Sequence, residues 1–186
     1  MSGVVSYPRT YGRRRKKAWW KNGGLYLSID VRKIIIEYKS WKFKPFSYVK
    51  RTAPERSTLR RAFDTQHKKE FLKSIAANNR PELEKAGLTS EDIRDMLRGE
   101  QPNGYSVHHI LPLDDNGDNS HDNLILIREE PEHQAITAFQ NSLTRGLREG
   151  ESRDVDFPVP DGRVVIHPPT DDPPTTLPLW ETKGQR

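Results

Sequence analysis

The sequence predicts an α+β protein in which helices support a compact unit of two short strands and a helix. Three observations carry that prediction. Helical composition with a marked start and stop dominates residues 57–99. Two short apolar runs, 107–113 and 124–127, flank a turn made largely of Asp, Asn and Gly. A stripe of Ile136, Phe139, Leu143 and Leu147 follows, and its i, i+3, i+7, i+11 spacing lies along one face of a helix. At 186 residues the chain has room for one domain with extensions.

Taken in order, residues 1–24 read as a basic flexible arm, with RRRKK at Arg13–Lys17 and a Gly23-Gly24 breaker. Residues 25–56 form a basic β-rich region, because Leu25, Leu27, Ile29 and Val31 alternate with Tyr26, Ser28 and Asp30. A domain over 57–150 follows, with a helical layer at 57–99 and the strand-turn-strand-helix unit at 105–148. Leu59, Ala62, Phe63, Phe71, Leu72 and Ile75 supply the first helical apolar positions. Thr89 and Asp92 make a capping-box pair ahead of Ile93, Met96 and Leu97. Gly99 is the matching stop. Asp114, Asp115, Asn116, Gly117, Asp118 and Asn119 are turn formers, and Pro131 suits a first helical position. Residues 151–186 hold seven of the 14 prolines. That predicts an extended tail, with Val164–Ile166 as one edge strand.

Composition excludes several classes. Cysteine is absent, which removes disulfides, thiol catalysis and Cys-based structural zinc. No run of 18 apolar residues exists for a membrane span. The basic N-terminus lacks the apolar stretch of a secretory signal, so export would need another route. A mean hydropathy of −0.88 predicts that part of the chain is poorly buried. Charge is lopsided: residues 1–61 carry 17 Lys/Arg against three acidic residues, whereas the rest carries 14 against 23. A basic block with Trp19, Trp20, Tyr26 and Trp41 interleaved suits a polyanion with stacking bases. Arg13, Arg14, Arg15, Lys16, Lys17 and Lys21 are its candidate nucleic-acid contacts.

The chemistry concentrates in Tyr105–Asn141, YSVHHILPLDDNGDNSHDNLILIREEPEHQAITAFQN. Adjacent histidines on a strand project to opposite sides, so one can hold a metal while its neighbour faces an attacking water. Phosphodiester hydrolysis needs both: neutralised phosphate charge with help for the leaving oxygen, and a base titrating near neutrality. His133 returns from the helix as a second imidazole. Asn123 is suited to bonding backbone near the turn and fixing the loop that aims the base.

HHIxPL, then DNLILI, then a helical histidine resembles the HNH, or ββα-metal, endonuclease motif of nuclease bacteriocins and secretion-effector toxin domains. The resemblance covers about 35 residues, in the order and spacing of that family. It implies a ββα-metal finger with His108 as first metal ligand, His109 as general base, Asn123 as the central asparagine and His133 as the helical ligand. The small size, basic extension and lack of cysteine resemble the toxin branch. Such a protein is expected to be made in a bacterial cytoplasm and exported by a specialised secretion system, with a secretion-system carrier and an acidic immunity protein as partners.

One departure stands out: where bacteriocin nucleases place another histidine, four residues after His133, this chain has Thr137. Gln140 and His121 are the other candidates to complete the coordination. Two protein nitrogens leave more of the sphere to water and phosphate, which favours Mg²⁺ or Mn²⁺ over Zn²⁺ or Ni²⁺. The expected function is metal-dependent, largely sequence-nonspecific cleavage of DNA. The alternatives are a catalytically inactive nucleic-acid-binding module with the same fold, and a metal-independent ribonuclease using His109.

Overall fold

A computed structural model describes residues 17–21, 24–29, 34–38 and 41–166, and the chain is of α+β class. Strands β1 (Lys17–Lys21), β2 (Gly24–Ile29) and β3 (Ile34–Tyr38) make an antiparallel sheet in that order. Alternating apolar residues place β2 where the sequence predicts a strand. Lys17–Lys21, read from sequence as the end of a flexible arm, is instead a strand registered on β2 from Lys17↔Ser28 to Lys21↔Gly24. Its KAWWK composition, aromatic at the centre, suits pairing. Arg13, Arg14, Arg15 and Lys16 lie outside the described residues.

β4 (Trp41–Val49) pairs antiparallel with β7 (Ser152–Pro160) over nine residues. This corrects the tail reading over Ser152–Pro160, while residues 167–186 lie outside the described residues. The prolines at 158 and 160 pointed away from a strand, but a two-stranded ribbon has only edges, where a missing N–H is tolerated, at Pro45 of the partner strand as well. Phe46 on β4 and Val155, Phe157 and Val159 on β7 turn their apolar side inward.

Between these strands lies the helical layer. α1 (Ala53–Ala62) begins at Thr52, whose backbone N–H and hydroxyl both donate to the Glu55 carboxylate. The helix then widens into a π-turn at Phe63–His67 before α2 (Lys68–Asn78). α2 buries Phe71, Leu72, Ile75 and Ala76, which share one face. α3 (Arg80–Lys85) buries Leu83, and α4 (Ser90–Leu97) buries Ile93 and Met96 against α2. The predicted capping box is present, since the Thr89 hydroxyl accepts from Asp92 N–H and the Asp92 carboxylate accepts from Thr89 N–H. Gly99 follows the helix at φ +87°, a conformation that favours glycine.

β5 (Tyr105–His109) and β6 (Leu124–Arg128) form an antiparallel hairpin. A π-turn at Glu129–His133 leads into α5 (Gln134–Leu143). The predicted helix reaches Leu147, but the observed one stops at Leu143, ahead of Gly146 at φ +83°. β6 is buried on both faces. Leu124 and Leu126 join a core with Phe63, Phe71, Ile93, Met96 and Val107, while Ile125 and Ile127 join another with Ile136, Phe157 and Val159. A β6 backbone bridge to Val164 places the predicted edge segment parallel to β6. No helix among the described residues is long and apolar enough to cross a membrane.

Candidate functional site

β5 ends on the two histidines, with His108 opposite Ile125 and His109 opposite Leu124. Alternation therefore sends His109 to the helical layer, beside Leu124, and His108 to the α5 side, beside Ile125. Each side chain is deeply buried, at 6% exposure.

On the α5 side, the π-turn at Glu129–His133 brings His133 onto His108. Their ring centroids are 5.1 Å apart and their planes nearly perpendicular, at 80°. Burial, with the charge repulsion that His133, His109 and Arg60 would exert on a protonated ring, pushes His108 down to about 3, opposed in part by a hydrogen bond from the ring to Gln140. Burial also lowers His133, with Glu129 pulling the other way. Both rings are therefore neutral at pH 7, the form in which imidazole offers a lone pair to a metal. His108 Nε2 is buried and has no hydrogen-bond partner, and neither has Thr137 Oγ1. Thr137 is four residues beyond His133 on the same helical face. Orphaned buried polar atoms are expensive, so this donor set fits a cation with its waters. Among the described residues no group of three or more His, Asp or Glu is gathered as ligands.

On the helical side, His109 Nε2 lies 3.0 Å from Asn119 Oδ1, and Asn119 Nδ2 donates to Leu59 O at 2.9 Å. The Phe63 ring packs on His109 at 4.5 Å between centroids. Phe63 opens the first π-turn. Arg60 and Lys68 sit over the same phenyl ring at 5.7 and 6.0 Å. Burial lowers His109 to about 4, opposed chiefly by the Asn119 hydrogen bond and reinforced by the Arg60 charge.

Asn123 ties the intervening loop together. Its Oδ1 accepts from Leu111 N–H at 2.7 Å, and its Nδ2 donates to Leu111 O at 2.9 Å and Asp118 O at 2.8 Å. The loop is also closed by Gly117, where an added Cβ would lie 1.8 Å from Leu111 O. Asp114 and Asp115 face Lys50 at 3.5 and 3.4 Å, and Asp114 also meets Arg56 at 3.0 Å. They anchor the turn to the β4–α1 junction.

Two of the weaker ligand candidates are engaged by other protein groups. Gln140 donates its amide N–H groups to His109 O and Ile110 O, which secures the end of β5, and it also hydrogen-bonds the His108 ring. His121 packs edge-on against Phe71 at 5.6 Å, in the helical layer. Asn119, Phe63 and Arg60 were not singled out as site residues from sequence. Asn119 sits in a run of turn formers, and Phe63 and Arg60 carry ordinary helical spacing. Only the coincidence of a widened helix with the histidine strand distinguishes them.

The chain is 37% identical over 123 residues to "Uncharacterized protein YhhZ" of Escherichia coli (strain K12). The aligned stretch is 66% of this chain and 30% of that protein, so the chain spans under a third of that relative's length. No family model matches the chain. No solved structure matches it.

Proposed function

We propose that the chain is a metal-dependent, largely sequence-nonspecific DNA endonuclease, with β5, β6 and α5 serving as a ββα-metal finger. The observation that carries this reading is the division of labour between adjacent histidines. His108 faces His133 with its Nε2 unpartnered, while His109 is oriented on the opposite face by a hydrogen bond. A pair of core histidines would satisfy both ring nitrogens on protein groups; His108 Nε2 is left without one.

His108 and His133 would hold the cation, with Thr137 beside them. A bound divalent cation neutralises charge on the scissile phosphate and stabilises the departing oxygen. His109 takes the proton of the attacking water. Burial keeps that imidazole neutral well below pH 7, so the base is ready at physiological pH, although its low pKa limits the driving force. Asn123 holds Leu111 and Asp118 so that the loop does not drift. Arg60 and Lys68, the cations around Phe63, meet the phosphate backbone on the His109 side. Base selectivity is low, since phosphate contacts position a duplex but carry no sequence information.

An antibacterial toxin role, with an acidic immunity protein and delivery by a secretion system, follows from the resemblance and is proposed with the activity. A second reading, a nucleic-acid-binding module without catalysis, draws on Thr137 standing where the motif has an imidazole. The deciding experiment incubates the protein with supercoiled plasmid in Mg²⁺, Mn²⁺ or Zn²⁺, with and without EDTA, beside His109→Ala. Metal-dependent nicking that disappears in the variant establishes the nuclease. Binding without cleavage in any metal leaves the binding module.

A further inference from the structure

The His109 side of the hairpin fixes more than a ring position. Leu59 O can only accept a hydrogen bond, so the Asn119 atom facing it at 2.9 Å is the amide nitrogen. The atom of Asn119 facing His109 Nε2 at 3.0 Å is then the amide oxygen, which also only accepts. His109 Nε2 must therefore carry the proton, and Nδ1 is left with the free lone pair.

We propose that Asn119 is the positioning residue that sets the His109 tautomer, so that Nδ1 is the atom that takes the proton from water. The inference rests on the nuclease reading for its catalytic half, though the tautomer is a property of the protein itself. The helix α1 supplies the other end of the relay. The chain passes from α-helical to wider π geometry immediately after Leu59–Ala62, and at that junction the Phe63 N–H is shared between Arg60 O and Leu59 O. Leu59 O thus retains accepting capacity and directs it at Asn119. Widened turns of this kind recur at functional sites.

The loop holds Asn119 in register from the other direction. Asn123 donates to Asp118 O, and the Asp118 carboxylate accepts from Ser120 N–H at 3.0 Å and from the Ser120 hydroxyl at 2.6 Å. Asn119 lies between these two anchors, so Asn123 acts on His109 through Asn119 as well as through the Leu111 backbone.

The test uses the full chain, ¹⁵N-labelled, in EDTA at neutral pH. Long-range imidazole ¹H–¹⁵N correlations distinguish Nε2–H from Nδ1–H, and His109→Ala assigns the signals. The wild type is expected to show the Nε2–H form alone at His109, and Asn119→Ala a mixture. On a duplex oligonucleotide, Asn119→Ala is expected to lose about 10- to 100-fold in kcat, as removal of an orienting partner does elsewhere, with KM unchanged. Asn119→Asp keeps an accepting oxygen toward His109. Because its second oxygen cannot donate to Leu59 O, it is expected to retain the Nε2–H form while recovering only part of the rate, a split that a merely structural role for the side chain would not give. An Nδ1–H wild type overturns the proposal, as does an Asn119→Ala variant whose tautomer and kcat both match wild type. An Asn119→Asp variant that shows the mixed tautomer of Asn119→Ala overturns it too. A wild type that cuts no DNA sinks the nuclease reading first, and with it the catalytic half of this one.

Discussion

The two faces of the β5–β6 hairpin differ in what they do with one imidazole each. On the helical side, His109 has a hydrogen-bond partner, an aromatic neighbour and two cations nearby. On the α5 side, His108 has a second imidazole against it and a ring nitrogen with nothing to bond. Each face is served by its own π-turn, Phe63–His67 for one and Glu129–His133 for the other. One residue of register separates a ring whose Nε2 is hydrogen-bonded from a ring whose Nε2 is buried without a partner. The fold therefore builds two chemically unlike environments around two identical side chains.

Breaking the faces separately should give unlike losses. His109→Ala is expected to lower kcat by about 10²–10⁴-fold, the usual span for a removed general base, at every metal concentration. His108→Ala should also abolish cleavage at low metal, but raising Mn²⁺ or Mg²⁺ should restore part of it. A metal titration of both variants on plasmid checks this. Equal response of the two variants to added metal would erase the distinction between the faces.

Both faces share a reluctance to protonate, which should appear in stability. The folded pKa values of His108 and His109 are lowered, to about 3 and about 4, below the ordinary 6.5 that the unfolded chain would show. The unfolded state then binds more protons as the medium acidifies. Stability is full above about pH 6.5 and is lost as the pH falls toward the folded values. At about 1.4 kcal/mol per pKa unit, His109 alone contributes on the order of 3 kcal/mol at most. Urea midpoints in EDTA should decline between pH 6.5 and 5, before most carboxylates titrate. A flat profile there would mean that neither ring is shielded from protons.

Adding a ligand should sharpen the α5 face without touching the other. Thr137→His puts a third imidazole one helical turn past His133. Affinity for Zn²⁺ or Ni²⁺ is expected to rise roughly tenfold or more, as the Irving–Williams order favours nitrogen-rich sites for these ions. Calorimetric titration of both proteins measures it. Unchanged affinity would place Thr137 away from the cation and undercut the pairing of His108 with His133.

Local signals in the sequence located most of this architecture. The Thr89–Asp92 pair and Gly99 bound α4 as expected, because caps are made by residues three or four apart. The alternation of His108 and His109 followed from strand geometry alone. Asn123 bonds the loop backbone, as its side chain suggested. What was illegible depends on long-range contacts. β7 is separated from β4 by about a hundred residues and carries prolines, so only the partner strand makes it a strand. Asn119 looked like any other turn residue, because its partner Leu59 O lies 60 residues away. The occupation of Gln140 by β5 carbonyls is likewise a tertiary fact.

The smallest expected effect concerns how the helical face meets its ligand. Arg60 is exposed, sits over Phe63 and raises the electrostatic cost of protonating both histidines. A phosphate there would relieve that repulsion. Arg60→Ala is expected to weaken DNA binding several-fold and to reduce the slope of log affinity against log salt by about one, the loss of one phosphate contact. Because the side chain is on the surface of α1, the fold should be unaffected. Fluorescence anisotropy across a salt series reads the slope directly. An unchanged slope would assign phosphate contact on this face to Lys68 or to the basic N-terminal region, and leave Arg60 as packing for Phe63.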